Sequence, residues 1–172
     1  MKLYRARVPI IASQAIERLS ADGDIDVPSE NREEAEADLV AIMEEFVRRD
    51  IEFRNRIRDY MAHRNIPYDK YGRIRQKMSE DTGHPLGDDV ERFLCRQFIE
   101  ALLISRFVDE VYGEDKDMYP KIMEVLRGND VDEREIRAEA IEKIKNVREG
   151  TVDYEIALRD AMRDVKKRRG LL

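Results

Sequence analysis

Residues 88–112, DDVERFLCRQFIEALLISRFVDEVY, carry the densest sustained run of apolar side chains in the chain. Along a helix these side chains cover more than the stripe of roughly 100° that a surface helix buries, so we expect a helix buried on most sides. Arg92, Arg96 and Arg106 interrupt the stretch too often for a membrane span, which needs about 18 apolar residues. The stretch therefore predicts a central core helix, around which the rest of the chain packs and which Gly113 ends.

The composition of the 172 residues predicts an all-α protein with almost no strand. Charged residues make up 41% of the chain, with only 8 glycines, 5 prolines and no tryptophan, a balance that suits long solvated helices better than a sheet. A chain of this length buries a core without a metal or a disulfide. The single cysteine, Cys95, has no partner within the chain, and the first residues lack the apolar region of a secretory signal. We therefore expect a cytoplasmic protein with no membrane partner.

Apolar residues spaced three and four apart predict further helices on both sides of this stretch. The first residues of these helices lie at or near Val8, Asn31, Asp50, Tyr68, Pro120, Asp130 and Thr151. The starts at Asn31 and Asp130 carry capping-box patterns, and Thr151 suits an N-cap. The helices that start at Asn31 and Asp50 are also compatible with one continuous, bent helix. Residues 24–27 alternate in polarity and predict a short extended segment.

The two halves of the chain correspond weakly and predict two pseudo-repeated helical units, residues 1–86 and 87–172, packed into one compact body. The alternative is that amphipathic helices align with one another by chance. The corresponding residues are Ile16 and Leu19 with Ile99 and Leu102, Ile25 with Val108, Met43 and Phe46 with Met123 and Leu126, and Tyr68 and Arg73 with Tyr154 and Arg159.

Four short segments carry a resemblance to a known family. They are MKLYR at residues 1–5, ADGDI at 21–25, REGTVDY at 148–154 and KRRGL at 167–171. On these segments the chain resembles the bacterial family called domain of unknown function 507. The resemblance implies an all-helical cytoplasmic protein in which a unit of about ninety residues is often present twice, and it implies no activity. Residues 79–85, SEDTGHP, replace the basic ending expected for the first unit.

No motif for catalysis, metal binding or a cofactor stands out in the sequence. His63 and His84 lie on different predicted elements, and neither is part of a Glu-x-x-His pair of the kind that a helical di-metal site uses, so we interpret both as solvent-facing or turn residues. Cys95 is either a reactive thiolate, with Arg92 on the same helix face, or a small buried hydrophobe, which is the more frequent case. Without a Gly-rich phosphate loop, a nucleophile elbow or paired cysteines, we expect a non-enzymatic protein with no metal, cofactor or small-molecule ligand.

Charge is divided unevenly along the first half of the chain. The acidic segment, residues 22–45, contains ten acids and one base, whereas the basic segment, residues 48–77, contains ten bases and four acids. The basic segment interleaves arginines with tyrosines, a combination that contacts phosphates and stacks on bases. A competing interpretation is that the acidic segment lies alongside the basic one and neutralises it. The candidate phosphate contacts are Arg54, Arg56, Arg58, Arg73 and Arg75, and the candidate stacking residues are Tyr60, Tyr68 and Tyr71.

Two functions are consistent with the sequence. The first is a helical interaction or scaffold protein that binds a protein partner, or a second copy of itself, through a charged amphipathic face. The alternative is a nucleic-acid- or ribonucleoprotein-associated factor that uses the basic segment. A net charge of −6 argues weakly against nucleic acid as the partner. The terminal run 166–169 has a simpler interpretation, a favourable interaction with the carboxyl end of the last helix.

Overall fold

The chain folds almost entirely into helices, as its composition predicts. The computed structural model describes residues 1–172. Three short 3-10 turns lie at Arg5–Arg7, Ser29–Asn31 and Tyr68–Lys70. The α-helices are α1 (Val8–Ala21), α2 (Arg32–His63), α3 (Tyr71–Thr82), α4 (Asp88–Ile104), α5 (Asp115–Gly128), α6 (Glu133–Lys143) and α7 (Val152–Arg168), and the strands are β1 (Ile25–Asp26) and β2 (Glu110–Val111).

Four helices surround the main apolar core. α1 packs against α2 and α5, and α4 packs against the same two helices, so α1 and α4 lie diagonally across a four-helix bundle. The prediction that residues 88–112 form a central helix is corrected here, because α4 is one of four walls and α1 is buried as completely. The fully buried side chains include Ile11, Ile16 and Leu19 from α1, Leu39 and Met43 from α2, Leu94 and Phe98 from α4, and Met118, Ile122 and Leu126 from α5.

α4 ends at Ile104, well before the end predicted at residue 112. At Ser105 the backbone becomes extended (φ −68°, ψ 130°), and the serine hydroxyl donates to Asp38 Oδ2 over 2.6 Å. The residues that follow pair with the segment after α1: β2 lies antiparallel to β1, with Val111 opposite Ile25. The apolar spacing continues past Ser105, but pairing with a strand distant in sequence decides the backbone, which local periodicity does not reveal.

Of the three later helices, α7 starts where the sequence predicts, and α5 and α6 start a few residues away from the prediction. Thr151 caps α7 as predicted, since its hydroxyl oxygen accepts from the backbone N–H three residues on, at 3.1 Å. α6 is capped by Asp132 instead of Asp130. α5 begins at Asp115, ahead of the predicted Pro120, which lies inside the helix. Sequence signals for caps therefore locate these helices without fixing their first residue.

α2 is one continuous helix of 32 residues, and at 1.5 Å per residue it is about 48 Å long. Its first half lies in the bundle, whereas its second half extends beyond the bundle and packs against α3. Phe53, Ile57 and Met61 form a small separate core there, joined by residues of α3. We call residues 48–82 the arm. Neither α2 nor any other helix is both long and apolar enough to cross a bilayer.

α6 and α7 pack against each other as a C-terminal hairpin with its own apolar cluster. That cluster includes Tyr4, which is 6% exposed, so the N-terminal segment connects the hairpin to the bundle. The order α1–β1–α2 is matched by α4–β2–α5, whereas α3 packs on α2 and α6 packs on α7. The predicted repeat of units 1–86 and 87–172 stays a prediction.

Candidate nucleic-acid interface

The acidic and basic segments lie in different parts of the molecule. Because α2 is continuous, its acidic half lies in the bundle and its basic half lies in the arm. The one ion pair that joins the two segments is at their border, between Arg48 and Glu45 at 2.7 Å. Other acids pair within the bundle, such as Asp22 and Asp24 with Lys121 at 3.1 Å and 2.5 Å. The interpretation that the acidic segment neutralises the basic one is therefore wrong.

Most cations of the arm have no ion pair. Among the predicted phosphate contacts only Arg54 has one, with Asp50 at 2.9 Å. Arg58 makes a hydrogen bond to the neutral side chain of Asn55. An exposed guanidinium group without an internal partner holds counterions that a phosphate displaces, so these groups are available to a polyanion. The arm cations without an ion pair are Arg49, Arg56, Arg58, Arg64, Arg73, Arg75 and Lys77.

A cleft of about 320 Å³ lies between the arm and the bundle, and we call it the arm cleft. α2 contributes Asp50 and Arg54 to it, α3 contributes Tyr71 and Arg75, and the N-terminal segment contributes Lys2. The structure therefore brings two of the predicted phosphate contacts together in one concave site. The other predicted contacts lie outside this cleft and are exposed on the arm: Arg56, Arg58 and Arg73.

Aromatic rings accompany these cations. Tyr68 is 79% exposed and stacks on Tyr71, with ring centroids 5.5 Å apart and planes 27° apart. Tyr71 lines the arm cleft, and the Tyr68 ring is connected to the cleft through this stack. At the far end of α2, the Arg64 guanidinium lies 4.7 Å from the centroid of the Tyr60 ring. All three predicted stacking residues are therefore next to arginines or to the cleft.

His84, predicted to face solvent or a turn, is buried between two phenylalanines of α2. Its ring stacks on Phe53 at 4.2 Å and on Phe46 at 5.8 Å. Its Nε2 lies 3.2 Å from Asp50 Oδ1, and the Ser79 hydroxyl donates to its backbone carbonyl over 2.6 Å. The imidazole thus fixes Asp50, which in turn holds an arginine of the arm cleft.

The imidazole of His84 is neutral at neutral pH. Burial lowers its pKa against the opposing effect of Asp50, and the nearby Arg49 and Arg56 lower the pKa further. The neutral ring donates its Nε2 proton to the Asp50 carboxylate. His63, in contrast, is exposed as predicted, with its Nδ1 at 2.8 Å from the backbone oxygen of the residue one turn earlier. In the sequence, the spacing of Phe46, Asp50 and Phe53 places them on one face of α2. That spacing indicates a buried face, but it does not show that a histidine packs on it.

Residues 1–171 match the family model described as Protein of unknown function (DUF507). The chain belongs to this family. The match covers nearly the whole chain and confirms the resemblance that the four short segments carry. No curated protein matches the chain. Because the family description carries no activity, the function of this DUF507 protein has to be inferred from its own geometry.

Cys95 of this DUF507 protein is a buried thiol. Burial raises its pKa to about 12, against the opposing effect of Arg96. Its Sγ donates to the backbone oxygen of Tyr119 over 3.4 Å. Arg92, proposed as the activating cation, pairs instead with Asp89 at 3.0 Å. The structure therefore favours the small buried hydrophobe over the reactive thiolate. Elsewhere, no three His, Cys, Asp or Glu side chains converge on one point.

Glu133, the first residue of α6, joins the hairpin to the N-terminal segment. Its Oε1 lies 2.7 Å from Lys2 Nζ and 3.2 Å from Lys166 Nζ, and it also accepts from the Tyr4 hydroxyl. Both ammonium groups lie over the Tyr4 ring, at 5.2 Å and 5.7 Å from its centroid. Burial alone would raise the pKa of Glu133, but the two lysines outweigh it and the pKa lies below its ordinary value. We call these four residues the Glu133 junction.

The two arginines of the terminal basic run 166–169 pair with acids of α6. Arg169 pairs with Glu139 at 2.8 Å and with Glu135 at 3.6 Å, and Arg168 also pairs with Glu139. These ion pairs add to the predicted interaction with the end of the helix. These two arginines therefore differ from most cations of the arm, which have no ion pair.

Proposed function

We propose that this DUF507 protein is a non-enzymatic, nucleic-acid-associated factor whose arm binds single-stranded RNA or DNA. One observation carries the proposal: most arginines of the arm, all except Arg48 and Arg54, lack intramolecular ion pairs, because the acidic segment lies outside the arm. Planar guanidinium groups bind phosphate oxygens in a bidentate manner, so a sugar–phosphate backbone suits this surface.

The arm cleft contains groups that suit the sugar–phosphate backbone of a nucleic-acid strand. Arg75 is half-buried, lines the cleft and has no ion pair, whereas Arg54 is held by Asp50 at 2.9 Å. Since His84 in turn holds Asp50, the Arg54 guanidinium is positioned before a ligand arrives, which reduces the entropy that binding costs. The cleft thus offers one unpaired and one positioned guanidinium group.

Tyr68 favours a single strand over a duplex. Its exposed ring stacks on Tyr71, which lines the cleft, and the bases of a single strand have faces free to stack on it. Stacking of one base on an aromatic ring contributes about 1–3 kcal/mol and depends little on which base it is. We therefore expect binding with little sequence preference.

The net charge of −6 does not oppose binding at the arm. Charges are screened over about 10 Å at 0.1 M salt, which is much shorter than the roughly 48 Å of α2. A phosphate at the arm therefore interacts chiefly with the cations of the arm. The acidic half of α2 repels phosphates, so it disfavours a complex in which the nucleic acid lies on the bundle instead of the arm.

Fluorescence anisotropy with a labelled single-stranded RNA, and with DNA of the same sequence, tests the proposal at low salt. We expect wild-type protein to bind, and the double variant R56Q/R73Q to bind about tenfold more weakly. The matched control is R96Q/R106Q, which removes the same charge from exposed positions on and just after α4, outside the arm. Absence of binding at low salt, or an equal loss in both variants, contradicts the proposal.

A second candidate function is self-association through the end of α4. Leu103 and Ile104 are 55% and 86% exposed, an unusual exposure for two adjacent large aliphatic side chains. A second copy of the chain would cover them. Sedimentation velocity over a range of protein concentrations tests this: a dimer that the variant L103Q/I104Q loses supports it, and a wild-type protein that stays monomeric contradicts it.

A further inference from the structure

We propose that a groove on the C-terminal hairpin continues the arm cleft, so that one nucleic-acid strand contacts both surfaces. The inference rests on the proposed function and extends it to a second binding surface with its own residues. It comes from the position of the groove, its charge, and the Glu133 junction that lies between the two sites.

The hairpin groove, of about 540 Å³, follows one face of α7. Its cations are Arg137 from α6 and Arg159, Arg163 and Lys166 from α7, against a single acid, Glu155. Arg137 and Arg163 have no ion pair, and Arg159 pairs only with the residue next to it, at 3.2 Å. The groove therefore carries an excess of positive charge that the hairpin does not neutralise.

The floor of the hairpin groove is apolar. Leu158 is 3% exposed and lies between the cations together with the half-buried Met162. An apolar floor edged by guanidinium groups accommodates a base or a sugar as well as a phosphate. This combination favours a nucleotide chain over an inorganic anion, which has no apolar part to bury.

The Glu133 junction places the two sites next to each other. Lys2 lines the arm cleft and Lys166 lines the hairpin groove, and both ammonium groups contact the same oxygen of Glu133, at 2.7 Å and 3.2 Å. The two ammonium groups outnumber the Glu133 carboxylate that they share, while the neighbouring Asp130 accepts from the Lys2 backbone N–H and lies 4.0 Å from the Met1 ammonium group. A strand that leaves the arm cleft therefore passes from one cationic surface to the next.

The other basic group of the hairpin lies off this path. Arg168 and Arg169 pair with Glu139, and Arg169 also approaches Glu135 at 3.6 Å. These cations hold α7 on α6. Because acids of α6 already compensate their charge, they should bind a phosphate less strongly. The contrast between the paired end of α7 and its unpaired middle restricts the α7 part of the second surface to residues 155–166, which Arg137 of α6 faces across the groove.

Anisotropy with two single-stranded RNAs, one of about 6 and one of about 20 nucleotides, tests the inference. We expect the longer RNA to bind wild-type protein more tightly and with a steeper salt dependence. The variant R159Q/R163Q should lower the affinity for the longer RNA about tenfold and reduce its salt slope by about 1.4, or about 0.7 for each phosphate contact. Its affinity for the shorter RNA, which the arm holds, should not change.

The control variants separate this inference from the proposed function. R56Q/R73Q should lower the affinity for both RNAs, and R96Q/R106Q should change neither affinity. Arg159 and Arg163 are exposed, so circular dichroism should show an unchanged Tm for their variant. If R159Q/R163Q leaves the affinity for the longer RNA unchanged while R56Q/R73Q lowers it, the inference is wrong and the proposed function stands. If wild-type protein binds neither RNA, the proposed function itself is wrong.

Discussion

The two halves of α2 share one helix, yet their charges have different surroundings. In the first half, Glu36 pairs with Arg32 at 3.0 Å, and Arg32 also reaches Glu17 on α1 at 2.6 Å. In the second half, Arg56 and Arg58 have no ion pair. The ion pairs of Arg32 therefore stabilise the bundle at one end, whereas the proposed function assigns the unpaired arginines at the other end to an external ligand. The partners of a charge, more than its sign or number, indicate whether it has a role in binding.

The largest expected effect concerns the separate core of the arm. Phe53→Ala removes a fully buried aromatic ring and should cost about 3–5 kcal/mol in the stability of the arm. Because that core is distinct from the bundle core, hydrogen exchange should accelerate in α3 and the second half of α2 while α1 and α5 stay protected. Leu39→Ala, in the bundle half of the same helix, should instead lower protection in all four bundle helices. Equal loss of protection throughout the Phe53 variant would contradict two separate cores.

A smaller effect is expected where a bundle ion pair is broken. Asp24 is 7% exposed and relies on Lys121 at 2.5 Å, so Lys121→Met leaves a buried carboxylate without its cation. The free energy of unfolding should fall by about 1–3 kcal/mol, measured by urea denaturation. Lys116→Met, on the same helix but with a 73% exposed side chain, is the matched control and should change little. Similar losses for both variants would show that the pair adds nothing beyond a surface charge.

The pH dependence of stability should report His84. In the unfolded chain its imidazole has the ordinary pKa of 6.5, and burial lowers that pKa in the folded protein. As the pH falls below 6.5, the unfolded state therefore binds the proton before the folded state does. The contribution of the His84 imidazole to stability is complete above pH 6.5 and decreases as the pH falls. The slope from this one group should not exceed about 1.4 kcal/mol per pH unit. The substitution His84→Gln should remove this part of the slope. An unchanged slope in that variant would mean that other groups cause the pH dependence.

The smallest effect on stability is expected for the unpaired cations. Arg73 is exposed and has no ion pair, so Arg73→Gln should change the free energy of unfolding by no more than about 0.5 kcal/mol. The same substitution should still weaken nucleic-acid binding, because the side chain is expected to contact phosphate. A loss of stability comparable to that of Lys121→Met would mean that the arm uses this arginine internally.

The helices were largely predictable from local signals, whereas the limits of the elements were not. Thr151 provided both the capping hydroxyl and the start of α7. The end of α4 was missed because Ser105 bonds to Asp38 and the next residues pair with β1, both distant in sequence. Asp50 resembled a helix cap, but its carboxylate holds Arg54 and His84, and α2 runs through it. The end of α4 and the role of Asp50 were thus missed because contacts distant in sequence, with Asp38, β1 and His84, outweigh a local preference.

The candidate site was predictable in composition but not in arrangement. The arginines and tyrosines of the basic segment were recognised from their spacing, and the structure places Arg54, Arg75 and Tyr71 around one cleft. Whether the acidic segment covered them depended on whether α2 was one helix or two, which the sequence left open. The hairpin groove and the Glu133 junction were not predicted, because Lys2 and Lys166 are far apart in sequence and carry no motif.

The salt dependence of single-stranded RNA binding tests the central claim most directly. If the unpaired cations of the arm hold phosphates, a plot of log Kd against log salt should be steep for wild-type protein. R56Q/R73Q should reduce its slope by about 1.4, whereas R96Q/R106Q should leave it unchanged. A wild-type slope near zero, or an equal change in both variants, would contradict the claim that the unpaired cations of the arm hold a nucleic acid.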